Sequence, residues 1–223
     1  MKIRGLLFDF DGLLIDTESS SRLGWEEVYR EHGYELPHER WAENVGTLGS
    51  PFDAAGHLEE LLGRELDWPA LTARRRERVT AMTELEQLRP GVEEYFADAT
   101  RLGLRTAVVS SGNRVWIERH LLRLGHLEGL DAIVSADEDV ARAKPRPILY
   151  LEALDALGLG AAEAIAFEDS PNGVRAAKAA GIYCVAVPNP ITAALAFDAA
   201  DLVLESLADL PLPELLERID GRR

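Results

Sequence analysis

The stretch GLLFDFDGLLIDTE, residues 5–18, sets three aspartates, Asp9, Asp11 and Asp16, into an apolar run. A carboxylate at the end of a buried strand is costly unless a turn or a partner compensates for it. Three further segments supply complementary groups. Ser110, Ser111, Gly112 and Asn113 close the run TAVV, Lys144 stands before Pro145 in AKPRP, and Glu168 with Asp169 closes AIAF ahead of SPNG. Phosphoryl transfer through a covalent intermediate needs this set. Asp9 is the candidate nucleophile. Asp11 can protonate a leaving oxygen and deprotonate the incoming nucleophile. Ser110, Ser111 and Lys144 are the candidates to hold phosphate oxygens while charge redistributes. Clustered carboxylates repel one another and imply a hard divalent cation. Oxygen ligands without a histidine or cysteine cluster favour magnesium, Mg2+.

Each group alone has a plainer reading. An Asp at a strand end can serve a turn, Ser110 and Ser111 can cap the next helix, and Asn172 can cap the alanine-rich helix after SPNG. The signal is their coincidence at one edge, and that depends on the elements carrying them. IRGLLF reads as a short buried strand ending at Asp9. From about residue 91 helical segments alternate with the apolar runs LRTAVVS, LDAIVSA, AEAIAFED and IYCVAV, with a weaker strand at ADLVLES and a terminal helix near 211–219. Strands nearly free of polar alternation are parallel and covered on both faces. The expected fold is therefore α/β: a three-layer, Rossmann-like core with a mostly parallel sheet. Ligands of such sheets bind beyond the carboxyl ends of the strands, where these polar residues stand.

Between Ser19 and about residue 85 the sequence reads as helix throughout, including 53–63 and 68–85. The first strand joins the later sheet most simply if this all-helical stretch is an insertion. Within it, Asn44, Gly46 and Thr47 in AENVGTLGS form a glycine-bearing loop that can face a substrate. Among the arginines at 74–76 and 78, Arg75 is the candidate to turn inward, and Asn113 is a further candidate contact at the sheet edge. Trp25 and Trp41 read as core of the insertion.

The 223 residues carry a net charge of −15, which disfavours nucleic acid and anionic membranes as partners. The RRRER run is too short to override it. Cys184 is the one cysteine and cannot form an internal disulfide, so a reducing compartment is expected. No signal-peptide pattern and no membrane-length apolar run is seen. The expectation is a soluble cytoplasmic protein, monomeric or weakly dimeric, acting on a small molecule.

The four segments occur in the order of the four motifs of the haloacid dehalogenase-like phosphatase superfamily, and the chain resembles that family over nearly its whole length. The nearer resemblance is to the branch of β-phosphoglucomutase and small sugar-phosphate phosphatases. It implies Asp9 as nucleophile and metal ligand, and Asp11 as acid/base with its main-chain carbonyl on the metal. Asp169 is implied as a further ligand, and Glu168 as one directly or through water. It also implies a core of 1–16 and 85–223, with 17–84 as a helical cap, and a structural role for Asp16 where the cap departs. An acid at position 11 favours phosphate esters over carbon–halogen bonds. Mutases of this branch carry a histidine in the first cap helix and a lysine–glycine pair in the specificity loop. Here Ser20 and Ser21 take the first place, and Val45 and Gly46 the second. The reading is a magnesium-dependent phosphatase of a small phosphorylated metabolite, a sugar or polyol phosphate; the alternative is a sugar phosphomutase.

Overall fold

The computed structural model describes residues 2–45 and 51–221. In chain order it runs β1 (Gly5–Phe8), α1 (Thr17–Glu31), α2 (His38–Ala42), α3 (Ala54–Leu62), α4 (Trp68–Thr83), α5 (Val92–Leu102) and β2 (Arg105–Ser110). It continues with α6 (Arg114–Arg123), β3 (Ala132–Ser135), α7 (Ile148–Leu157), β4 (Ala164–Glu168), α8 (Pro171–Ala179), β5 (Tyr183–Ala186), β6 (Leu202–Val203) and α9 (Leu212–Asp220). The strands form one sheet in the order β3-β2-β1-β4-β5-β6, every pairing parallel. Helix α2 falls inside the stretch that reads as all-helical but is not distinguished there as a separate element, because five residues are too few to show helical periodicity.

β1 is buried along its whole length, and its side chains alternate between faces. Leu6 and Phe8 enter a cluster with Tyr95, Ile117, Phe167 and Leu215, so α5, α6 and α9 cover that face. Leu7 enters the opposite cluster with Leu149, Tyr150 and Ala176, from α7 and α8. This double cover makes the strand sequences continuously apolar, and it leaves only the strand ends for polar groups.

The helices between β1 and α5 form an inserted cap with a third cluster, in which Val28, Tyr29, Trp41 and Leu58 are buried and Trp25 and Trp68 pack against them. Asp16 caps α1 by accepting from the Ser19 N–H at 2.9 Å. Ile191, from the loop after β5, is buried in the cap cluster and so seats the cap on the core. Two capping expectations are corrected. Asn113, not Ser110 or Ser111, caps α6, and Ser170, not Asn172, caps α8. Ser110 is drawn inward to Asp11, which leaves Asn113 to meet the α6 N–H groups, and Asn172 stands inside the first turn of α8, past its cap. Asn172 instead reaches the Val45 carbonyl of the cap at 3.4 Å.

His120 on α6 is fully buried and its Nε2 has no protein partner. Burial, helped by Arg123 and Arg119, pushes its pKa down to about 4. The unfolded chain regains a histidine near 6.5, so below that pH it binds a proton the native state refuses, and stability falls as pH falls. Replacing His120 with Phe should remove this slope. Between pH 7 and pH 5 the stability of wild type relative to His120→Phe should drop by about 2 kcal/mol, read from urea unfolding curves.

Candidate active site

The strand order reverses direction at β1 and β4, and an open parallel sheet has its crevice at the carboxyl ends of such a pair. Asp9 follows β1 directly, its N–H bonded to the Phe167 carbonyl at 3.0 Å. Glu168 and Asp169 leave β4 beside it. One oxygen from each of Asp9, Glu168 and Asp169 lies within 4.8 Å of the others, and all three residues are buried. Lys144 pairs with Asp9 and, at 2.6 Å, with Glu168. Ser111 orients this lysine by accepting from its backbone N–H at 3.1 Å. Tyr150 donates to Glu168 at 2.5 Å, and the Lys144 ammonium lies over its ring.

Asp11 turns toward β2 and α6. One carboxylate oxygen accepts from the Ser110 hydroxyl at 3.3 Å and the other from the indole N–H of Trp116 at 3.1 Å. The Ser110 oxygen in turn accepts from the Gly112 N–H at 2.8 Å. Two glycines permit the packing. Gly12 has φ +85°, and a Cβ there would collide with the Asp169 carboxylate. At Gly173 a Cβ would overlap the carboxylate of Glu168.

Burial raises the pKa of Asp9 against the pull of Lys144. Burial and then repulsion from Asp9 raise Asp11 to about 6. Burial carries Glu168 to about 7 and raises Asp169 well above its ordinary value, with Asp9 and Glu168 adding to it. For Lys144 burial acts downward, but Asp9 and Glu168 outweigh it and hold the ammonium charged. Lys144 thus answers part of the acidity and leaves an excess of buried negative charge. Glu168 also has a buried oxygen, Oε2, without a protein partner. An oxygen-only, over-acidic cluster with an orphaned carboxylate oxygen fits a hard divalent cation such as Mg2+.

Of the residues singled out in the sequence, Asp9, Asp11, Ser110, Lys144, Glu168 and Asp169 come together here, with Ser111 one step behind Lys144. Asn113 is spent on capping α6. Arg75 lies over the Trp25 ring at 4.6 Å, between α1 and α4. Asn44 bonds both polar groups of the Phe52 backbone at 3.0 Å, and Gly46 and Thr47 lie outside the described residues. Sequence reasoning passed over several neighbours. Glu18, half-buried in the first turn of α1, is pushed up to about 8 by burial and by Asp11, Asp9 and Asp16. Asn189 donates to Asp169 at 2.6 Å and stands just past β5, so a search of every strand end finds it. Arg89 ties the Gly12 carbonyl at 2.5 Å to that of Pro188 at 2.9 Å. It ends no strand, and its sequence context gives no signal.

A doubly covered parallel sheet with an inserted helical cap and an aspartate-centred acidic site at its switch point defines a capped α/β hydrolytic architecture. Residues 3–181 match the haloacid dehalogenase-like hydrolases, and the chain belongs to that family. It is 43% identical to YhcW of Bacillus subtilis (strain 168) over 99% of each chain. It is 34% identical to validoxylamine A 7'-phosphate phosphatase of Streptomyces hygroscopicus subsp. limoneus, over 94% of this chain and 96% of that protein. Among solved structures it resembles a mutant CbbY from Rhodobacter sphaeroides in complex with Xylulose-(1,5)bisphosphate. The TM-score is 0.74 at 31% identity, covering 96% of this chain and 99% of that one. Among the described residues no helix is long and apolar enough to cross a membrane.

Proposed function

We propose that this protein is a magnesium-dependent phosphomonoester hydrolase of the sugar-phosphate phosphatase branch. Residues 1–16 and 85–223 form its catalytic core, and 17–84 its cap. Its substrate is a small phosphorylated metabolite, a sugar or polyol phosphate. The observation that carries the reading is Asp9 at the end of the central strand, paired with buried Lys144 and followed two residues later by Asp11. The phosphatase relative and the sugar bisphosphate held by CbbY support the substrate class.

In the first step an Asp9 oxygen attacks phosphorus. The ester P–O bond breaks, its electron pair stays on the alcohol oxygen, and that oxygen takes a proton from Asp11. In the second step a water oxygen attacks the aspartyl phosphate and passes a proton to Asp11. The P–O bond to Asp9 breaks, freeing the carboxylate and inorganic phosphate. A pKa near 6 suits Asp11 to both transfers. Lys144 offsets charge on the phosphate oxygens, and Ser110, whose hydroxyl meets Asp11, is the further contact to them. Asp9, Asp169, the Asp11 main-chain carbonyl and Glu168 would hold the magnesium ion, whose chemistry is to neutralise the cluster and the phosphate charge.

Phosphate release from a panel of sugar, polyol and glycolate phosphates tests the reading. EDTA should lower turnover at least roughly a hundredfold, and added magnesium should restore it. Bisphosphate-stimulated isomerisation of a sugar phosphate, with little phosphate released, would overturn it in favour of a mutase.

A further inference from the structure

Asp11 must present one carboxylate oxygen to the reacting ester, and an aspartate side chain has two rotatable bonds with which to miss. The Trp116 indole N–H donates to Asp11 Oδ1 at 3.1 Å, across 105 residues of sequence. An indole nitrogen only donates, so this contact holds a fixed acceptor direction on one oxygen. The Ser110 hydroxyl takes the other at 3.3 Å.

The indole is itself fixed. It follows the Asn113 cap in the first turn of α6, where its own backbone N–H also lies near the Asn113 side chain, at 3.4 Å. One helical turn later His120 packs edge-on against it, ring centroids 4.2 Å apart at 69°. His120 is fully buried and also neighbours Phe10, the residue between Asp9 and Asp11, at 6.4 Å. Helix α6 therefore grips the catalytic loop twice, through Trp116 on Asp11 and through His120 on Phe10.

We infer that Trp116 is a positioning residue for the acid/base carboxylate, acting by the indole N–H bond that sets which way Asp11 presents its proton. The inference rests on the acid/base role of Asp11 proposed above. It has a signature that general destabilisation lacks, because it bears on proton delivery to the leaving group. An alkyl alcohol leaves poorly without a proton, whereas p-nitrophenolate leaves without one.

The test is kcat/KM, which reports the phosphorylation step, for the sugar phosphate cleaved fastest in the panel and for p-nitrophenyl phosphate. Their ratio within one preparation cancels the concentration of active enzyme. In Trp116→Phe the ratio of sugar ester to aryl ester should fall about tenfold, the scale of one hydrogen bond to a charged group. Benzothienylalanine at position 116, which keeps the bicyclic shape and lacks the N–H, should give the same fall even if Phe packs poorly. Asp11→Asn is the control and should lower the ratio further. A fall in Asp11→Asn with none in either 116 variant overturns the role of Trp116 alone. An unchanged ratio in Asp11→Asn overturns the acid/base reading beneath it.

Discussion

Asp9→Asn should lose roughly ten-thousandfold or more of its phosphate release while remaining as stable as wild type, or becoming more stable, in EDTA. The activity loss follows from chemistry, since a carboxamide cannot form the aspartyl phosphate and removal of a nucleophile disables the whole pathway. The stability outcome follows from electrostatics. Burial raises the Asp9 pKa even against Lys144, so the ionised form is held at a cost, and Asp9 also raises Asp11 and Asp169. An isosteric neutral side chain relieves that repulsion, and Lys144 keeps Glu168 as a partner at 2.6 Å. Single-turnover phosphate release and thermal unfolding on one preparation separate the two effects. Full retention of turnover would remove Asp9 from the chemistry; a large loss of stability would mean that its charge is needed by the fold.

The fold was largely legible because its strands are buried on both faces. Continuous apolar runs such as LLF and IAF can belong to little else in an alternating α/β chain, and the lack of any strand-like run in the sequence between residues 19 and 85 marks the insertion. The acidic residues were legible for the same reason: on a covered sheet, charge at a strand end stands out. What stayed hidden are contacts made sideways across the site. Trp116 and Tyr150 stand within helical segments, and nothing local says that their polar tips face Asp11 and Glu168. Arg89 stands before Pro90 with no local signal of a role, yet it joins loops 77 and 99 residues away. Asn44 belongs to a loop that can face a substrate by its sequence, and its amide bonds the Phe52 backbone. Polar loop residues are ambiguous in this way, because backbone groups in a turn compete with ligands for the same side chains.

Lys144→Met should differ from Asp9→Asn in losing stability as well as activity. The ammonium is buried between Asp9 and Glu168, and removing it leaves two carboxylates without their counter-charge. Breaking a buried pair costs about 3–5 kcal/mol when the remaining charge stays ionised. Here the acids can take up protons instead. Glu168, already raised to about 7, moves higher once Lys144 is gone, so its native pKa lies further above its unfolded value. A group of that kind loses stability as pH rises through its native pKa. The deficit of the variant in EDTA should therefore be largest at alkaline pH, where Glu168 is ionised in both proteins, shrink as pH falls toward 7 and Glu168 is protonated in the variant ahead of wild type, and level off below 7, where it is neutral in both. Urea unfolding at pH 8 and pH 5.5 measures it, and a deficit independent of pH would assign the loss to packing of the lysine stem. Magnesium should recover part of the stability at pH 8, because a cation on the same oxygens replaces some of the missing charge, but not the activity, because the phosphate then lacks the Lys144 ammonium.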